Sequence, residues 1–493
     1  MANLTLSNCK LFLNGKWVRG SIVIDGNSIR YIGPTVKEKG TVWDLEGRPV
    51  IPGLIDSHVH LIPTALNREV LDLRRVKSIR ELKTLIAKEC GKSGWIIGRG
   101  WDQENFEEAR MPSLKELDEA CSSNPVLLIR ICGHLALANS LALRKLGLRK
   151  GDGLLFEEEV TKALESVLKP GEEKLLRLLK ELLYEMPKKG ITMVHTLSST
   201  PQEFYLLQLI KVKWGLPVRV RVYFDAKYLD YLLNSKLIGG FGDEYLRISG
   251  IKVIMDGSLG ARTAYLRERY EDANTRGKLL LNSSKLAELL ERARGLNLQV
   301  AVHAIGDGAI REVIKALSLS SARGDEVRIE HCSLTPPELL DELAKLRPII
   351  SVQPHFIISD WWAERRLGRR CRWLYPFKTM LRAKLKLSGS SDSPVEPWDP
   401  WEGMYAAVER GKEEGSSIFK YTSSEKLSIS EALTMYTEGG ARACREYPDY
   451  GSIKIGSKAD LTVLEYLPTT PKELKEVEVY ATLVGGEITY LKR

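Results

Sequence analysis

Six of the seven histidines in this 493-residue chain, His58, His60, His195, His303, His331 and His355, sit at or just beyond the end of an apolar, strand-like run. The seventh, His134, follows such a run in a separate stretch. In an extended segment, residues i and i+2 project to one side, so His58 and His60 can present two imidazoles to one cation. His303 and His331 come from other runs and can complete a second cluster. Asp392, in Gly389-Ser390-Ser391-Asp392-Ser393-Pro394, offers a carboxylate that can ligate a metal and accept a proton from metal-bound water. Any one of these histidines alone could be a hydrogen-bonded structural residue. Six at the same end of successive runs is the pattern of a barrel whose active site lies at the C-terminal strand ends.

The elements that must position them can be read from the apolar pattern. Eight runs stand out: Val50 to Ile55, Ile191 to Val194, Val218 to Phe224, Ile248 to Met255, Leu298 to Val302, Val327 to Ile329, Ile349 to Val352 and Leu385 to Ser390. Helical stretches alternate with them, and eightfold β/α alternation predicts an α/β fold, a TIM-like (β/α)8 barrel over residues 51–66 and 171–445. The gap between the first two runs is too long for one helix. Residues 67–170 are therefore expected to form an inserted subdomain over the barrel mouth, with a strand at Val126 to Ile131. Residues 1–50 read as short strands joined by tight turns such as Asn14-Gly15, and residues 446–493 have the same texture. Together they are expected to make a composite β-sandwich.

Composition sets limits on partners and location. The chain is 43% hydrophobic and 28% charged, as in a soluble enzyme. No apolar run reaches the ~20 residues needed to span a bilayer, and no secretory signal is visible, so a cytoplasmic protein without membrane partners is expected. Seven cysteines without CxxC spacing predict a reducing compartment and no disulfide framework. Lysine and arginine exceed the acids by 9, and the densest basic stretch is Arg365-Arg366-Leu367-Gly368-Arg369-Arg370-Cys371-Arg372. No nucleic-acid module accompanies it, so a solvated, ion-paired surface is the preferred reading and no nucleic-acid partner is expected. A small-molecule substrate is the expected partner, and a homo-oligomer is compatible with the sequence. Scarcity of glutamine leans toward a thermophilic source.

The series Pro52-Gly53-Leu54-Ile55-Asp56-Ser57-His58-Val59-His60, His303, His331 and Asp392 resembles the amidohydrolase superfamily, as does Gly451 to Leu461. Finer motifs resemble its YtcJ-like branch (amidohydrolase 3 type), which includes N-substituted formamide deformylase. They are Gly100-Trp101-Asp102, Gly133-His134 with Asn139, Asp256-Gly257-Ser258-Leu259-Gly260 with Arg262-Thr263-Ala264, and His303-Ala304-Ile305-Gly306-Asp307. The resemblance implies two divalent metals. His58 and His60 would hold one, His303 and His331 the other, and Asp392 would bind the first and act as general base. Lys252, on the fourth run, would carry CO2 as a carbamate bridging both; a carboxylate-paired or snorkelling lysine, with a single-metal site, is the alternative. Zinc suits the donors best, and iron, manganese or nickel also fit. His134, His195, His355 and Trp101 are expected substrate contacts, although each could equally be structural. The implied reaction is hydrolysis of a carbon–nitrogen bond other than a peptide bond by metal-activated hydroxide. A deaminase or esterase-like relative on the same cage, and a non-catalytic regulatory protein that keeps the fold, are the alternatives.

Overall fold

The computed structural model describes residues 4–34, 40–130, 135–149, 151–156, 158–167 and 171–492. Eight parallel strands form the barrel: β1 (Leu54–Val59), β2 (Ile191–Ser199), β3 (Arg219–Asp225), β4 (Leu246–Ile254), β5 (Gln299–Ala304), β6 (Val327–His331), β7 (Ile349–Val352) and β8 (Lys386–Gly389). They pair in sequence order, each in parallel register with the next. Closure between β8 and β1 is made by a Val59–Ser393 bridge and by the Ser57 hydroxyl, which donates to the Gly389 carbonyl at 2.9 Å. The helices between strands bury one stripe each. In the helix Ser283–Arg294, Asn282 caps the N-terminus by accepting from the Lys285 amide, and Leu286, Leu290 and Ala293 lie on the buried face.

The first apolar run serves two sheets. Pro49–Pro52 pairs with Leu461–Leu464, and only from Leu54 does the chain enter the barrel. Strands from both ends of the chain thus share one eight-stranded sheet, the composite sandwich, around a core that includes Leu6, Ile22, Val50, Leu461 and Leu483. Arg219 of β3 is fully buried and grips the Asp460 carboxylate at 2.7 and 2.9 Å, which explains the acid in the Gly451 to Leu461 motif.

Ile62–Leu179 is a separate compact unit. Its five-stranded sheet runs Leu154–Phe156, Leu135–Ala138, Val126–Arg130, Ile96–Trp101, Leu71–Asp72. Side chains alternate across it. Val126 and Leu128 pack with the helices Ile79–Glu89 and Leu114–Ala120, whereas Leu127 and Ile129 pack with Ser140–Leu146 and Glu158–Val167. Cys90 and Cys121, each at the C-terminal end of a helix on the first of these faces, form a disulfide. That corrects the expectation of no disulfide: spacing along the chain hid a pair whose Cα atoms lie 5.6 Å apart in space. Cys9, Cys332, Cys371 and Cys444 are buried free thiols.

Candidate metal centre

Strand geometry brings the expected ligands together. His58 lies within β1 and His60 just beyond it; His303 is on β5, His331 ends β6, and Asp392 follows β8. The imidazole of His58 stands 5.2 Å from that of His60 and 5.3 Å from that of His331, and His303 and His331 are 4.4 Å apart, centroid to centroid. Ligand atoms of His58, His331 and Asp392 all lie within 4.8 Å of one another. Lys252 on β4 is buried, with Nζ 3.4 Å from His58 Nε2.

Hydrogen bonds fix which nitrogen each ring can offer. His60 Nδ1 donates to the Leu197 carbonyl at 3.0 Å, and His303 Nε2 donates to the Gly257 carbonyl at 3.0 Å. His58 Nδ1 donates to Glu330 Oε2 at 2.7 Å. The lone pairs of His58 Nε2 and His60 Nε2 therefore both face Asp392 Oδ1, each at 3.1 Å. Three electron-rich atoms in contact repel unless positive charge sits among them, and His331 Nδ1 is buried without a partner among the described residues. This donor set fits a divalent cation of the zinc type, which takes imidazole nitrogen and carboxylate oxygen.

The protonation states agree. Burial, then the neighbouring Lys252 charge, pushes His303 down to about 3, and burial holds His331 well below the usual histidine range, so both rings are neutral. Burial brings the Lys252 amine down to about 8.

Sequence reasoning missed the residues that hold this arrangement. Glu330 is fully buried between His58 Nδ1 and Arg328 Nε, which donates to it at 2.5 Å. Arg328, also fully buried, donates to the Ser57 carbonyl at 2.7 Å and to His195 Nδ1 at 3.0 Å, and lies over the Tyr223 ring. Asp56 accepts from the His58 amide and from the Ser391 amide and hydroxyl, joining β1 to the Asp392 loop; burial raises its pKa to about 6. Asp256 accepts from the amides of Tyr265, Ile305 and Gly306, joining the loops after β4 and β5. A signal existed: Arg328-Ile329-Glu330-His331 puts two opposite charges on one face of a strand that should be wholly apolar. His331 and Asp392 both adopt positive φ, 72° and 57°, where the chain turns sharply out of its strands; such strain collects at functional sites.

The four expected substrate contacts fare differently. His355 bonds through Nδ1 to the Glu396 carboxylate, and the adjacent Phe356 ring is 6.2 Å from that of His331, so this segment borders the centre. His195 and Trp101 are both fully buried. His195 supports Arg328, and Trp101 stacks on Phe106 and donates its indole N–H to the Leu128 carbonyl within the core of the second unit. His134 lies outside the described residues.

Known proteins match this chain over most of its length. The model of the amidohydrolase family matches residues 41–490. YtcJ of Bacillus subtilis (strain 168) is 31% identical over 91% of this chain and 90% of its own length. N-substituted formamide deformylase of Arthrobacter pascens is 24% identical over 95% of this chain and 94% of its own. Among solved structures, an uncharacterized metal-dependent hydrolase from Pyrococcus horikoshii OT3 superposes with a TM-score of 0.83 at 33% identity, covering 94% of this chain and 98% of that one.

Proposed function

This chain belongs to the amidohydrolase family and is a metal-dependent hydrolase, and from that premise we propose that it cleaves a carbon–nitrogen bond, other than a peptide bond, in a small amide-like molecule. The observation that carries the reading is the convergence of His58, His60, His303, His331 and Asp392 at one end of the barrel, with His58, His60 and His303 turned toward the centre by their other nitrogens. The relative named as a deformylase of N-substituted formamides supports the bond type.

In this reading His58, His60 and Asp392 would hold one cation, His303 and His331 would hold a second, and Lys252 would supply an anionic donor between the two sets of ligands. A bound divalent cation of zinc type polarises a carbonyl and lowers the pKa of bound water from 15.7 to about 7. To serve as that donor the Lys252 amine would add to CO2 and lose one proton, giving an anionic carbamate; burial favours the neutral amine this needs. Asp392 accepts the proton of the attacking water at a carboxylate oxygen and passes it to the departing nitrogen. Glu330 holds the His58 proton on Nδ1 throughout.

The test is a panel of N-acyl amines, aminated heterocycles and esters, run on protein whose metal content is measured in parallel. Release of a free amine from the first class is expected. Ammonia alone would make it a deaminase, alcohol alone an esterase, and full metal occupancy without turnover would favour a regulatory protein.

A further inference from the structure

The arginine-rich stretch near residue 370 has no part in the chemistry above, yet it is not an open charged face. Trp362 packs on the Gly260 backbone, where an added Cβ would come within 3.3 Å of its ring. The segment after β7 therefore rests on the loop after β4, whose Gly257 carbonyl orients His303. The Glu271 amide donates to the Arg366 carbonyl at 2.9 Å, and Arg370 Nη2 donates to the Arg269 carbonyl at 2.6 Å. Arg366 lies over the Trp362 ring at 4.3 Å.

Most of the local charge is committed. Arg262 forks onto Asp272 at 2.9 and 2.6 Å, Arg370 Nη2 faces the Glu271 carboxylate at 3.6 Å, and Asp360 accepts from the Tyr375 hydroxyl, with burial raising its pKa to about 7. What remains is three buried guanidinium nitrogens, Arg366 Nε, Arg366 Nη1 and Arg370 Nη1, without an acceptor among the described residues. Arg370 is only 8% exposed. Burial, then Arg262, disfavours the charge of Arg366, so a bound anion would relieve it. Apolar surface is open at the same end of the barrel: Ile254, two residues past Lys252, is 46% exposed, and Val395, three past Asp392, is 50% exposed.

We propose that Arg366 and Arg370 form an anion-binding subsite at the barrel mouth, and that the substrate is an amide carrying an oxyanion, a carboxylate or a phosphate, at a distance from the scissile bond. This rests on the reading of the protein as a carbon–nitrogen hydrolase. A planar guanidinium binds such oxyanions through parallel N–H bonds, and Trp362 keeps that plane oriented.

Calorimetric titration of the metal-loaded protein with benzoate, phenyl phosphate and benzyl alcohol tests it. One or both anions should bind and the alcohol should not. Arg366→Gln should weaken anion binding about 10- to 100-fold at unchanged metal content, and Arg366→Lys should restore part of it. In turnover, the ratio of kcat/KM for an N-acyl amino acid over an N-acyl alkylamine of equal length should fall by a similar factor in Arg366→Gln. The subsite is overturned if neither anion binds, as when water alone satisfies the three nitrogens, or if Arg366→Gln binds them like the native protein. Anion binding that depends on Arg366 in a protein that hydrolyses no amide keeps the subsite and refutes the reaction.

Discussion

Replacing Glu330 with glutamine should harm the metal centre through a single proton. In the native chain its two carboxylate oxygens accept from Arg328 Nε at 2.5 Å and from His58 Nδ1 at 2.7 Å. Glutamine keeps the volume but offers one oxygen and one NH2. Arg328 can only donate, so the oxygen turns toward it, and the NH2 meets His58 Nδ1, which must now accept. The ring proton then moves to Nε2, the atom 3.1 Å from Asp392 Oδ1, and the lone pair meant for a cation is lost. Loss of such an orienting partner lowers metal affinity about 10- to 100-fold, or roughly 1.4–2.7 kcal/mol. The fold should suffer less than the ~3–5 kcal/mol of a broken buried ion pair, because the Gln oxygen, the Ser57 carbonyl and the Tyr223 ring still face Arg328. Competition against a chromogenic chelator measures the metal dissociation constant, and calorimetric melting of the metal-free protein measures the fold. Native metal affinity together with a lowered melting midpoint would refute the tautomer argument and leave Glu330 a counter-ion for Arg328.

Lys252→Arg and Lys252→Ala should both lose metal and hydrolysis, with short carboxylic acids partly restoring Lys252→Ala; a Lys252→Arg protein with native metal content would sink the bridge. Asp360 has a folded-state pKa of about 7 against 3.8 unfolded, so its contribution to stability is fully present below pH 3.8 and is lost as pH rises through 7. Asp360→Asn should therefore stabilise the protein at pH 8, by at most about 4 kcal/mol, and not at pH 3.5; equal effects at both values in chemical denaturation would contradict this. Cys90→Ser opens a loop of sequence separation 31 and should destabilise the 62–179 unit by about 3–4 kcal/mol. Hydrogen exchange confined to that unit reads the change, and exchange no faster than native would argue against the cross-link.

The barrel was legible because its strands are continuous apolar runs, and the ligands because histidine is scarce and recurs at one end of those runs. Where one run served two purposes the boundary blurred: Val50 and Ile51 are as apolar as Leu54 and Ile55, yet they belong to the sandwich. Residues that act through another were illegible as such. The Arg328/Glu330 spacing marks a charge pair, but it does not point to His58, and Asp56 carries no spacing signature because its partners are distant in sequence or are backbone amides. The Trp101 motif marks a position without saying what the side chain does there: the indole is fully buried and donates to the Leu128 carbonyl. The Cys90–Cys121 pair shows the same limit, because proximity made by two helix ends has no counterpart in linear spacing.

The sheet shared by the two ends of the chain imposes an order on synthesis. Ile51 finds its partner in Thr462, roughly 400 residues later. At about 5–20 residues per second, a ribosome leaves the Pro49–Pro52 edge unpaired for roughly 20–80 s. During that interval four apolar or proline residues stand as an open strand edge, next to barrel strands that are only partly assembled. The nascent chain is therefore exposed to wrong pairing until its last strands emerge, and truncation before Leu461 would make that exposure permanent, with aggregation rather than a smaller folded enzyme as the product.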